Sequence, residues 1–166
     1  MTVRTAHQLV RASPLHVLDI LTSPEACGRW TPIDFSSDQP AGTRLRAASQ
    51  TTVQGVIAGK KVSFAIAVSR SDDRGLALTA SGPVEMDIAY QLTPQPSGTS
   101  VHASIDLHRA GGLTGALLTR ATELLLAGGA LSFALRRIAT EAEQLKADAD
   151  PQILADTAHS SHSHAA

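Results

Sequence analysis

From Lys61 to His108 the chain alternates apolar and polar residues through several short segments, and the connections between them allow only antiparallel pairing. Val62, Phe64, Ile66 and Val68 share one face of Lys61–Arg70. Leu76–Ser81 follows. Val84, Met86, Ile88, Tyr90 and Leu92 share a face of Val84–Thr93, and Val101, Ala103, Ile105 and Leu107 share one of Thr99–His108. The opposite faces carry Ser63 and Ser69, then Glu85, Asp87 and Gln91, then His102, Ser104, Asp106 and His108. The breaks are Asp72–Gly75, Gly82-Pro83 and Pro94–Gly98, all of turn-forming composition. A parallel crossover needs about a dozen residues. The segments therefore form an antiparallel sheet with one apolar face and one wet face.

The flanks complete the order of elements. Thr43–Ile57 reads as a further strand, joined to the next by Ala58-Gly59-Lys60, and Val3–Ala12 reads as a first strand. Ser13-Pro14 and Ser23-Pro24 each pair a capping serine with a proline suited to a first helical turn. They predict two short helices, one carrying Leu15, Leu18 and Leu21, the other about Glu25–Arg29 and running into Trp30. A loop with a short strand near Ile33–Phe35 follows. After Gly111-Gly112 the period becomes helical, predicting one helix over Leu113–Leu145 with Leu117, Leu124, Leu131, Leu135 and Ile138 on its buried side. Gly128-Gly129 in its middle costs roughly 2 kcal/mol against alanine. A kink, or the close approach of a strand or ligand, must offset this. Residues 1–146 thus form one α+β domain, and 147–166 read as a mobile polar tail rich in His, Ser and Ala.

Charge and cysteine usage remove whole function classes. The 166 residues carry a formal net charge of -1, which leaves no basic surplus for nucleic acid. Cys27 is the single cysteine, so neither an internal disulfide nor a multi-cysteine metal site exists. Residues 1–12 carry charge throughout, with no signal-type apolar run. Arg120 and Glu123 interrupt the most apolar stretch, 113–135, which argues against an integral membrane segment. The expectation is a soluble cytoplasmic protein; oligomeric state leaves no signal.

A long sheet with one apolar face needs a cover, and the last helix is the element long enough to supply it. One helix cannot fill the concave side of a strongly curved sheet, and the space left over is a natural ligand cavity. Three stretches carry a family resemblance on top of this order: ASPLHVLDILTSPEACGRW at 12–30, AGTRLR at 41–46 and SGTSVHASIDLHRAGG at 97–112. The chain resembles the START/Bet v 1-like (SRPBCC) superfamily, closest to its polyketide cyclase/dehydrase and lipid-transport branch. That resemblance implies the helix-grip fold, a curved antiparallel sheet wrapped around a long C-terminal helix with two short helices after the first strand. It also implies an internal cavity for a hydrophobic small molecule: polyketide-like, lipid or isoprenoid-like. Members include carriers and cofactor-independent cyclases or dehydratases, and the fold does not choose among them. No cofactor and no metal are expected.

Parity nominates Phe64, Ile66, Leu78, Met86 and Ile105 for the cavity wall, with Trp30 and Phe35 at its mouth and Leu125, Gly128 and Phe133 from the helix. For chemistry the candidates are Tyr90, Arg46 and Asp34. Tyr90 lies on the apolar face, as a core tyrosine or with its hydroxyl in the cavity. Arg46, like Arg44, serves a substrate anion only if Leu45 does not take the inward face. Asp34 acts as a base only if it borders the ligand rather than an exposed loop. Asp106 and His108, with Glu85 across the strand, lie on the wet face and read as ordinary cross-strand charge pairing. His159, His162 and His164 read as part of the tail. GGLTG at 111–115 reads as a strand-to-helix turn, because no βαβ unit surrounds it. Cys27 lacks the surroundings that activate a thiol.

Overall fold

The computed structural model describes residues 2–31, 34–40, 42–108 and 112–160. Seven antiparallel strands form one sheet: β1 (Thr2–Val10), β2 (Phe35–Ser37), β3 (Gln50–Ile57), β4 (Lys60–Asp72), β5 (Gly75–Ser81), β6 (Glu85–Gln95) and β7 (Gly98–His108). Their order is β1-β7-β6-β5-β4-β3-β2. The later strands are a simple meander, and β1 closes the far edge against β7. Helices α1 (Pro14–Thr22) and α2 (Pro24–Trp30) follow β1, and α3 (Gly112–Ala127) and α4 (Ala130–Ser160) follow β7. This is the helix-grip architecture expected from the order of elements.

Local chemistry explains the joints. Ser13 Oγ accepts from the His16 N–H and Ser23 Oγ from the Ala26 N–H, both at 3.3 Å, so each serine caps its helix as anticipated. Between β3 and β4 the turn residues Ala58 and Gly59 both have positive φ, 52° and 76°. That backbone twist matches a two-residue hairpin. In the β4–β5 ladder the register slips between Val68 and Arg70, leaving Ser69 extra. Such a bulge bends the sheet. α4 lies across β1, α1 and α2, and Val10, Val17, Leu21, Val101, Leu135 and Ile138 form the sealed centre of the core.

Four expectations need correction. The strand expected from Thr43 begins only at Gln50; residues 43–49 are irregular, with Ala48 at φ 64°. The single helix over Leu113–Leu145 is broken at the glycine pair, and the two parts meet at 60°. Gly129, at φ +91°, terminates α3 in the left-handed region open to glycine. The kink is therefore what the glycines supply. The phase of the first part also differs: Leu117 and Leu124 are exposed, while Gly115, Leu118, Thr119 and Thr122 face the protein. Threonine at the inner positions is tolerated because Thr119 and Thr122 return their hydroxyl protons to the Gly115 and Leu118 carbonyls, both at 2.8 Å. Finally, the last helix does not end at Leu145: α4 runs to Ser160. Ile33, Gly111, His162 and His164 lie outside the described residues. Among the described residues no single helix is long and apolar enough to cross a membrane.

Candidate ligand cavity

The apolar face of the sheet is one wall of a cavity of about 220 Å³. Ladder register explains which residues meet there. Leu76 sits opposite Tyr90 and Leu78 opposite Ile88; Ile88 in turn sits opposite Ile105. On the other side Phe64 pairs with Val53 and Ile66 with Thr51. All of these line the cavity, as does Met86. The facing wall comes from the helices: Leu21 of α1, Pro24, Cys27 and Trp30 of α2, Thr122, Leu125 and Leu126 of α3, and Ala130, Leu131 and Ala134 of α4. The bend between α3 and α4 thus lets residues on both sides of the glycine pair reach the same space.

Of the expected wall, Trp30, Phe35, Phe64, Ile66, Leu78, Met86, Ile105 and Leu125 are in place. Leu125 is also 41% exposed, which puts it at the rim. Gly128 and Phe133 are not in the wall. A Cβ on Gly128 would meet only the Leu124 and Leu125 carbonyl oxygens, at 3.3 and 3.4 Å. Phe133 points outward, with the Arg137 guanidinium 5.0 Å from its ring centroid. Both misplacements follow from treating a broken helix as continuous.

The three candidates for chemistry are not brought together. Leu45 takes the inward face and lines the cavity, held by its N–H to the Thr22 carbonyl at 2.9 Å and by its carbonyl, which accepts from Ser71 Oγ at 3.0 Å. Arg46 is exposed, with its backbone N–H on Ser49 Oγ. Arg44 pairs with Asp19 at 2.8 Å. Asp34 is exposed, and its carbonyl accepts from the Val56 N–H at 3.2 Å. Only Tyr90 is in the cavity.

Tyr90 is buried, and its ring meets Trp30 edge-on. Its hydroxyl makes no hydrogen bond among the described residues, yet it is not sealed; the sealed, unpartnered side-chain atoms are His16 Nδ1 and Asp106 Oδ1. Apart from Ser37 on the edge strand, whose Oγ accepts from the Gln39 N–H, the other polar groups of the wall have committed their protons. Trp30 Nε1 donates to the Ile20 carbonyl at 3.3 Å, Thr31 Oγ1 to the Cys27 carbonyl at 2.6 Å, and Thr51 Oγ1 to Asp38 at 3.1 Å. Thr122 donates within its own helix. Cys27 Sγ lies 3.8 Å from the Leu21 carbonyl. Burial drives the Cys27 thiol up to about 12, so it stays protonated and inert. Burial, with Cys27 nearby, likewise pushes the Tyr90 hydroxyl well above the ordinary phenol range. No charged side chain among the described residues lines the cavity.

A second cluster sits outside, on the wet face. Asp87, Asp106 and His108 bring their ligand atoms within 4.8 Å of one another. His108 Nε2 bonds Asp87 Oδ2 at 2.8 Å and stands 3.9 Å from Asp106 Oδ2. Thr79 donates to Asp87 at 2.8 Å. Glu85 is opposite His108 in register, as anticipated, but the hydrogen bond runs to Asp87. A metal ion would have to displace the His108–Asp87 bond.

No protein-family model matches this sequence, and no curated protein does. Similarity appears at the level of solved structures. Protein CV1439 from Chromobacterium violaceum superposes with a TM-score of 0.65 at 14% identity, covering 85% of this chain and 96% of that one. TTHA0849 from Thermus thermophilus gives 0.63 at 16% identity, covering 87% and 99%. Ara h 8.0201 gives 0.55 at 11% identity, covering 86% and 98%. The likeness is consistent with a Bet v 1-like helix-grip fold. At these identities the likeness is one of fold alone.

Proposed function

We propose that the protein binds a hydrophobic small molecule in the cavity between sheet and helices, as a carrier or binding protein. The observation that carries this reading is the wall itself: side chains from β3 to β7 and from all four helices converge on one space, nearly all of them apolar. Enclosing apolar ligand surface contributes about 25 cal/mol per Å² removed from water. At about 220 Å³ the space is smaller than the roughly 300–1,000 Å³ of drug-sized pockets. A compact polyketide-, lipid- or isoprenoid-like fragment suits it, with longer tails leaving through the rim at Leu125. The cofactor-independent cyclase reading has less support, because Arg46 and Asp34 stand outside and leave Tyr90 without an acid–base partner.

The test is calorimetric titration with naphthalene. Wild type should bind it saturably at one site. Ile88→Phe, which fills the space from within the sheet, should abolish binding while the protein stays folded. Equal binding by both proteins would sink the proposal.

A further inference from the structure

We propose that the ligand of this cavity is an uncharged carbonyl compound, a ketone, aldehyde or ester, whose oxygen accepts a hydrogen bond from Tyr90. The inference rests on the ligand-binding reading above and narrows it to one chemical class. It starts from an inventory of protons. Trp30, Thr31, Thr51, Thr122 and Cys27 have directed theirs at protein acceptors. Ser37, whose Oγ accepts from the Gln39 N–H, belongs to the edge strand β2 and is only half-buried. Among the described residues, the buried interior of the wall is left with a single uncommitted donor, the Tyr90 hydroxyl.

That donor is fixed in place. Its ring stands edge-on to Trp30, and Trp30 is itself anchored to the Ile20 carbonyl. An apolar ligand with no oxygen would leave the hydroxyl facing hydrocarbon without a partner, which costs affinity, so loss of the hydroxyl leaves the binding of such a ligand unchanged or tighter. A carbonyl oxygen satisfies it and brings no proton of its own that needs an acceptor. A carboxylate would bring a full charge into a space where no described side chain carries the opposite one, and such desolvation is not repaid by one phenol. The phenol also cannot meet that charge as a cation, and its own ionisation is suppressed by burial. Size sets the scale of the carbonyl-bearing part. A dry cavity of about 150 Å³ holds benzene, so this one accepts on the order of ten non-hydrogen atoms.

Three probes of nearly equal shape test this: acetophenone, cumene and benzoate. Each is titrated into wild type and Tyr90→Phe, and the acetophenone carbonyl stretch is followed by infrared spectroscopy. The hydroxyl has no partner among the described residues to lose, so Tyr90→Phe should fold normally, and cumene affinity that is unchanged or tighter verifies an intact cavity. Acetophenone should bind wild type with its carbonyl stretch shifted to lower frequency. Tyr90→Phe should abolish that shift and weaken acetophenone by roughly 2- to 12-fold, the equivalent of one neutral hydrogen bond. Benzoate should bind wild type at least about tenfold more weakly than acetophenone. Equal acetophenone affinity and an identical carbonyl stretch in the two proteins would overturn the carbonyl assignment while cumene binding upholds the cavity reading. Benzoate binding as tightly as acetophenone would overturn it as well. Failure of acetophenone and cumene alike to bind wild type would overturn the ligand-binding reading itself, and this inference with it.

Discussion

Trp30 and Tyr90 meet edge to face, their ring centroids 6.3 Å apart and their planes at 83°. The contact joins the end of α2 to the middle of β6 across the cavity. Each ring presents its positive edge or negative face to the other, which adds about 0.5–1.5 kcal/mol to what burial supplies. Trp30→Ala should therefore destabilise the protein by about 3–5 kcal/mol, whereas Tyr90→Phe should change stability by less than about 0.5 kcal/mol. Denaturant unfolding measures both. A large loss from Tyr90→Phe would mean that the hydroxyl has a protein partner after all.

Neighbouring leucines in α3 separate the two possible phases of that helix. Leu118 is buried and Leu117 is 61% exposed. Leu118→Ala should cost about 2–5 kcal/mol, and Leu117→Ala should stay within about 0.5 kcal/mol. The reverse order in chemical denaturation would restore the phase read from the sequence.

The two glycines at the bend should respond differently to alanine. Gly129 holds φ at +91°, where a Cβ costs on the order of 1 kcal/mol. Gly128 has no such constraint and is exposed. Gly129→Ala should lower Tm measurably, and Gly128→Ala should lower it less or raise it. Equal losses would place the strain elsewhere.

On the wet face, the hydrogen bond to Asp87 raises the His108 pKa above the ordinary 6.5, with the negative charges of Asp106 and Glu85 adding to it. His108, and secondly Thr79, hold Asp87 below its usual value. A raised histidine stabilises the fold at pH below its unfolded pKa and loses that contribution as pH rises through the folded value. The depressed carboxylate contributes above its unfolded pKa and loses that as pH falls through the folded one. The pair therefore acts in the mildly acidic window between the two titrations. Both side chains are partly exposed, which keeps the effect on stability small. NMR titration should place His108 above 6.5, and Asp87→Asn should move it down. An unshifted His108 in wild type would contradict the geometry.

Strand parity was the legible part of this molecule. A period of two leaves no freedom once one face is apolar, so Phe64, Ile66, Leu78, Met86 and Ile105 fall where alternation puts them. The same parity points to Ile88, Leu76 and Val53, which also line the cavity. The caps at Ser13 and Ser23 were equally legible, because serine before proline satisfies a local need. The phase of α3 was not, although Leu131, Leu135 and Ile138 of α4 are buried as expected. Leu113, Leu117 and Leu124 form an apolar stripe that faces outward, and threonines face inward. Hydrophobic periodicity therefore selected the wrong face of α3. Arg46 was lost for a related reason: Thr43–Arg46 is not strand, and its inward residue is set by the Leu45 backbone bonds to Thr22 and Ser71.

The central claim is that an apolar ligand sits inside, between sheet and helices. Intermolecular nuclear Overhauser effects from cumene to the protein's methyl groups test it most directly. Cross-peaks should connect cumene to Leu78, Met86, Ile88 and Leu131, all of which line the cavity. Cross-peaks confined to Leu113, Leu117 and Leu124 on the outer face of α3, or none at saturating cumene, would contradict it.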